Sequence, residues 1–392
     1  MAKVFTGDSS SQLYYDSLMT LLCEGKEVKP RGKATRELRP VVFEFTNPLN
    51  RVTFLKGRKI NPYFQMAEAL WILAGRSDVE WLLRYNRNMG QFSDDGVHFN
   101  APYGERLRYW NCNDYRNFVF NPIDQLADVY RKIREDVDTR QAVAVIYNPM
   151  FDNADYKGKD TPCNAMLTFK VREGKLDLTV FNRSNDVHWG TFGANLCQFS
   201  TIQETVAAWL GLPVGTYNQI TDSLHVYLDD YGAKETDKIL DAYDVRSVEI
   251  NNPHLGQRNI KHFTFENEPR ITLGFEDFNE FLTSYFGHLD NFVNNDEYMS
   301  NPDNVDKMVH SACQAPDEYF KTTLLAMMAY RGHRLGNAGM LIECLKAMPD
   351  CQWKVSCLYF LCNSYEGTEH QGVYKSLFEH YPEEVRDYIK GV

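Results

Sequence analysis

Cys163 follows Pro162 at the start of an alternating segment, and Arg183-Ser184-Asn185-Asp186 closes the next one. Alternation is the period of a strand, so these segments read as a hairpin turning at Glu173-Gly174-Lys175. Such a hairpin sets Cys163 at the start of one strand, near Arg183 and Asp186 at the end of the other. A thiol beside a guanidinium is biased toward thiolate, because the cation favours the charged form. A thiolate is a nucleophile, so covalent catalysis is the chemistry this pair could do. Taken singly, each residue has a plain structural reading. A cysteine is most often a small apolar core residue. A loop arginine is usually solvated, His225 suits packing or capping, and Tyr103 is one of 23 tyrosines. The combination, in order, carries the weight.

The elements that must position these residues show as periodicities. Leu13, Tyr14, Leu18, Leu21 and Leu22 recur at helical spacing behind Ser9-Ser10-Ser11, which could cap them. Residues 40–55 alternate in part and predict two strands. Asn61 to Gly75 predicts a helix in which Glu68 sits among Met66, Leu70 and Trp71. That carboxylate is either on an exposed face or buried for a reason, since acids are seldom buried without a partner. A second helix is expected over 77–86, a Gly- and Asp-rich loop over 89–100, and an amphipathic helix over 121–136. The run AVAVIY after Thr139-Arg140-Gln141 predicts a strand. Residues 196–210 predict a long apolar helix ended by Gly211, and Asp222 to Tyr227 the start of a further helix. From about residue 276 the chain reads mostly helical. An α+β core over 1–275 with an appended helical region over 276–392 is the expected organisation.

The chain has 392 residues, enough for a substantial core and more than one domain. A net charge of -11 argues against a sequence-independent grip on nucleic acid. It leaves room for a small anion held by a local arginine cluster. Nine cysteines without metal-ligand spacing suggest reduced thiols in a cytoplasm and no metal. The gaps between Cys351, Cys357 and Cys362 fit neither a zinc site nor a redox pair. No secretory signal and no membrane span are expected.

The ordered motifs resemble the thymidylate synthase family from about residue 10 to 275. The Pro162-Cys163 step is similar to the family's nucleophile, and Arg183-Ser184-Asn185-Asp186 to its Arg-Ser-x-Asp. His225-Val226-Tyr227 matches its His-x-Tyr, Arg31-Gly32 its early phosphate loop, and Tyr103-Gly104 the Tyr-Gly of its active-site loop. Glu68 opens a Leu-Trp-x-Leu-x-Gly stretch of the family's kind, and Asp138-Thr139-Arg140-Gln141 partly matches its subunit-crossing motif. Departures stand beside these matches. Asn164 replaces a histidine, Gln141 a second arginine, and Asn182 a glutamine. Ala194 occupies the place of the pyrimidine-reading asparagine while Asn195 comes one later, which requires a one-residue insertion. The chain ends in Lys390-Gly391-Val392 without the family's closing peptide. These departures resemble the family's hydroxymethylase branch, found in phages that carry hydroxymethyluracil in their DNA.

The resemblance implies a mixed β-sheet packed with helices, forming a homodimer, plus the C-terminal helical extension. It implies dUMP as substrate and 5,10-methylenetetrahydrofolate as co-substrate. Cys163 would add to C6 of the pyrimidine, making C5 an enolate carbon. Arg31, Arg183, Ser184 and Arg140 would hold the phosphate, the last from the partner subunit. His225 and Tyr227 would hold the sugar hydroxyl, and Asp186 would face the pterin. Glu68 and Tyr103 would organise water and move protons at C5. Asn195 can match uracil's O4 and N3–H, whereas a carboxylate would favour cytosine. Water addition would give a hydroxymethyl group, and hydride delivery a methyl group. Thymidylate synthase, a dCMP hydroxymethylase, and a non-catalytic nucleotide- or RNA-binding relative remain alternatives.

Overall fold

Two sheets stand at the centre of the computed structural model, which describes residues 1–110, 122–153, 155–246, 258–364 and 372–391. The larger runs β1-β4-β9-β7-β6-β5, with β1 Lys3–Gly7, β4 Val41–Phe45, β5 Val143–Val145, β6 Asn164–Arg172, β7 Lys175–Asn182 and β9 Val214–Thr221. The expected hairpin is β6–β7. Glu173 and Gly174 both take positive φ, 52° and 73°, the two-residue turn whose twist suits a hairpin. The backbone N–H of Arg183 donates to the carbonyl of Cys163 at 3.0 Å, so the hairpin does join those two residues.

One face of this sheet is buried. Phe43 and Phe45, Leu167 and Phe169, Leu178 and Val180, and Tyr217 all point into the core. The other face is only half covered, with Val42, Thr168, Thr179, Phe181 and Ile220 partly exposed. Val143 and Val145 on the edge strand are each 36% exposed.

The smaller sheet runs β2-β3-β10-β8, with β2 Lys26–Val28, β3 Thr35–Leu38, β8 Asn185–Asp186 and β10 Leu224–Tyr227. The helix expected from Asp222 is therefore a strand. Leu224 to Tyr227 pairs antiparallel with β3 and parallel with β8, partners distant in sequence that override local periodicity. The second strand expected near 52–54 is also absent. Its backbone bonds go to helix α1, Ser10–Glu24. Ser10 Oγ donates to the Val52 carbonyl at 2.9 Å, and Ser11 Oγ accepts from the Phe54 N–H at 2.7 Å. Of the three serines, only Ser9 caps the helix.

Helices α2 Pro62–Leu73, α3 Val79–Leu83 and α5 Gln125–Glu135 stand where three helices were expected, and α4 Tyr103–Arg108 is a helix that was not expected. Position 121 lies outside the described residues. Helix α6, Leu196–Leu210, stops at Gly211, which takes the left-handed conformation that ends helices. Next comes α7, Asp230–Ala242. The tail contributes α8 Phe275–His288, α9 Asp296–Ser300, α10 Val305–Cys313, α11 Glu318–Leu335, α12 Ala338–Ala347, α13 Gln352–Asn363 and α14 Glu383–Lys390.

Every residue of α2 is buried. A helix apolar all round needs cover on all sides. One side packs on α6, and the other is covered by α11 and α13 of the tail. Tyr63 stacks on Tyr330 at 4.9 Å and meets Phe360 edge-on at 5.9 Å. The tail also meets Trp209 through Phe275 and Phe278, and Phe54 through Tyr388. Such aromatic pairs contribute about 0.5–1.5 kcal/mol each beyond burial. The tail thus walls in the helix that carries Glu68.

Candidate active site

The start of β6 and the end of β7 place Cys163 against Arg183. The guanidinium donates to the Pro162 and Thr161 carbonyls, at 2.9 and 3.0 Å, and lies 3.8 Å from Cys163 Sγ. Those two carbonyls fix the arginine, so its charge is held at the thiol. The net effect corrects the expectation of a ready thiolate. Burial raises the Cys163 thiol above its ordinary value, Arg183 and Arg31 pull it down, and Asp160 and Asp186 push it up. In the resting chain burial wins, and the two arginines limit the rise.

Arg31 reaches this site from a turn between β2 and β3 in which it takes a positive φ of 52°. Its side chain hydrogen-bonds Tyr227. Tyr227 and His225, two residues apart on β10, meet edge-on at 5.2 Å. Arg31, Arg183, His225 and Tyr227 therefore come together, and Ser184 lies half-buried in the turn from β7 to β8. Arg140 does not join them. It acts on Lys170, six residues along β6 from Asn164, roughly 20 Å away.

Behind Cys163 is a cluster of buried amides. Asn164 Nδ2 donates to Tyr103 Oη at 2.9 Å and approaches Asn195 Oδ1 at 3.4 Å. Its Oδ1 accepts from Asn182. Asn195 Nδ2 donates to Asn185 Oδ1 at 3.2 Å. Thus Asn164 and Asn182, which depart from the family pattern, bond to each other. Asn185 belongs to the same cluster. Its place inside the Arg-Ser-Asn-Asp run was the only sequence signal for it. Asn185 Nδ2 is buried without a partner.

Asn195 reaches the cluster through an unusual turn. Residues Val187–Asn195 form a π-helix that runs directly into α6, and the Leu196 N–H bonds to the Thr191 carbonyl five residues back. A π turn holds one more residue than an α turn, and such turns gather at functional sites. Asp186 caps this one: Oδ1 accepts from the N–H groups of His188 and Trp189, at 2.6 and 3.0 Å, while Oδ2 accepts from Tyr231. His188 is fully buried, and burial lowers it to about 4. Thr236 gives its hydroxyl proton to the Gly232 carbonyl, so His188 Nε2 donates to Thr236 and Nδ1 accepts from Tyr14. Arg58 donates to Tyr14 Oη and to the His188 carbonyl, fixing the turn from behind. None of Tyr14, Arg58 and His188 was expected at the site.

Glu68 is buried, 8% exposed, and burial raises its carboxyl to about 7, with a hydrogen bond from Gln198 working against that rise. Tyr103 is half-buried, stacked near Phe199 at 6.2 Å, and desolvation raises its phenol. A nucleophile, fixed cations, neutral amides and a carboxyl that titrates near neutrality are together suited to covalent addition with proton transfer.

The profile of the thymidylate synthase family matches residues 12–271. The chain is 56% identical over 362 residues to a deoxyuridylate hydroxymethyltransferase of Bacillus phage SP01, covering 92% of this chain and 94% of that protein. A deoxyuridylate hydroxymethyltransferase of Pseudomonas phage M6 is 36% identical over 227 residues, 57% of this chain and 62% of that one. A putative thymidylate synthase of Methanocaldococcus jannaschii is 28% identical over 225 residues, 56% of this chain and 89% of the relative.

Proposed function

The chain belongs to the thymidylate synthase family, and from that premise we propose that it is a dUMP hydroxymethylase that makes 5-hydroxymethyl-dUMP for modified phage DNA. The observation that carries the reading is the 362-residue likeness to the phage SP01 protein, which runs through the tail as well as the core. The amide cluster supports uracil as the base. Asn195 and its neighbours can donate and accept, and no carboxylate stands among Asn164, Asn182, Asn185 and Asn195.

Arg31, Arg183 and Ser184 bind the phosphate, and His225 and Tyr227 the sugar hydroxyl. Cys163 adds to C6 and frees C5 to attack. 5,10-Methylenetetrahydrofolate, when bound, supplies the one-carbon unit. The half-exposed indole of Trp189, stacked on Phe64 at 5.9 Å beside Asp186, suits a flat pterin. Tyr103 and Glu68 handle the protons at C5. Loss of the C5 proton expels tetrahydrofolate, unoxidised, and leaves an exocyclic methylene on the base, to which water adds.

The working unit is a homodimer joined through the half-covered sheet face, with Arg140 reaching the partner's phosphate site. Residues 1–275 form the catalytic unit, and the extension from 276 supports it. The setting is the host cytoplasm. The eight described cysteines are free, which suits a reducing compartment. Among the described residues no helix is long and apolar enough to cross a membrane.

Turnover of dUMP with methylenetetrahydrofolate in ¹⁸O-water tests the reading by mass spectrometry. A hydroxymethylated uracil nucleotide carrying the label is the expected product. A methylated nucleotide with dihydrofolate would make the chain a thymidylate synthase, and product from dCMP alone would overturn the role given to Asn195.

A further inference from the structure

Helices α2 and α6 meet at two buried side chains whose bonding is incomplete. Glu68 and Gln198 hydrogen-bond to each other. Glu68 Oε2 and Gln198 Oε1 are both shielded from solvent and accept from no group. Buried acceptors are rarely left in this state. With Glu68 ionised, neither oxygen can donate to the other, and a small partner with two hydrogens to give satisfies both. Gln198 follows Asn195 by three residues, so both lie on one face of α6. The pair therefore lies one helical turn from the amide cluster beside Cys163. Phe199, the next residue, packs near the Tyr103 ring that closes the cluster.

We propose that Gln198 is a positioning residue for the reacting water. Glu68 Oε2 and Gln198 Oε1 together hold one water molecule and aim its oxygen at the exocyclic methylene carbon of the Cys163-bound base. The proposal rests on the dUMP hydroxymethylase reading. In the step, the water oxygen bonds to the methylene carbon and one proton passes to Glu68. The double-bond electrons move onto C5 and the C4 carbonyl as an enolate. The enolate re-forms C5=C6, the C6–Sγ bond breaks, and Cys163 leaves with the electron pair. No oxidant or reductant is needed. Glu68 accepts the proton, while Gln198, which does not titrate, fixes where the oxygen sits.

The test separates early chemistry from late. With dUMP tritiated at C5, tritium release reports the steps up to the methylene, and 5-hydroxymethyl-dUMP reports water addition. Gln198→Met keeps the side-chain length and removes the acceptor together with the amide that donates to Glu68. Because Glu68 also serves the C5 proton, tritium release should fall as well, but hydroxymethyl product should fall about tenfold or more beyond it. An added thiol should then capture the methylene as a thioether. Equal loss of both signals, or an unchanged product ratio, would overturn the role of Gln198. Should the methionine variant not fold, Gln198→Asn withdraws the amide by one carbon and should shift the product ratio the same way. Absence of any hydroxymethyl product from the unaltered enzyme would instead overturn the function on which the proposal stands.

Discussion

Glu68 sits on a helix with no exposed residue, and burial raises its carboxyl from 4.5 to about 7. The sign of the resulting pH dependence follows from that direction. Below about 4.5 the carboxyl is neutral folded or unfolded and adds no penalty. Between 4.5 and 7 the unfolded chain releases the proton first, so stability falls as pH rises. Above 7 the loss is constant, on the order of 3 kcal/mol. Glu68→Gln should therefore be as stable as the parent at pH 4.5 and more stable at pH 8, by chemical denaturation. Its turnover should drop about 10²–10⁴-fold at every pH. A variant less stable at pH 8 would show that the carboxylate is better solvated than its burial implies. At this scale the sequence revealed residue types but not their settings. Cys163, Arg183 and Asp186 stood together in the hairpin reading, while the partners Asn185, Gln198 and His188 come from contacts that no local spacing encodes. The sequence also suggested a low thiol pKa from one neighbour, whereas burial, which only the fold supplies, dominates Cys163.

The π turn is the element on which the site depends. Its caps, Asp186 in front and Arg58 behind, hold the backbone that carries Asn195 into the amide cluster. Gly190 is the close point. A Cβ there would come within 1.9 Å of Asn185 Oδ1, the atom that accepts from Asn195, and Gly190 does not take a positive φ. Gly190→Ala should thus spare the backbone and displace one amide. The expected result is a roughly tenfold or greater loss in kcat/KM for dUMP with the melting temperature within a few degrees of the parent. A fully active Gly190→Ala would mean that the Asn185–Asn195 bond does not orient the base. Helices were the most legible elements. Leu196–Leu210 was bounded correctly because its apolar run ends on Gly211, and α2 because Asn61 and Pro62 open it. The π turn over Val187–Asn195 left no sign in the local periodicity. Strand β10 was misread as a helix start because its hydrogen-bond partners lie on β3 and β8, far away in sequence.

On the scale of the whole molecule, Arg140 stands apart from the site residues of its own chain. It lies in the bend before β5, by Lys170 near the far end of β6, where the half-covered sheet face carries Thr168 and Met166 with Val143 and Val145 opposite. Among the described residues nothing brings it near Cys163. A two-fold axis on that half-covered face would bring the same surface of a second copy against it, as an isologous dimer requires. Each site would then draw Cys163 from one chain and Arg140 from the other. Among the described residues the tail helices pack on α2, away from the sheet face proposed for the dimer. The arrangement predicts complementation. Cys163→Ala and Arg140→Ala should each be nearly inactive alone. Unfolded and refolded together in equal amounts, half the dimers are mixed, and each mixed dimer holds one intact site, giving about a quarter of the parent activity. Recovery no greater than the sum of the two variants, with mixed dimers present by native mass spectrometry, would place Arg140 outside the phosphate site.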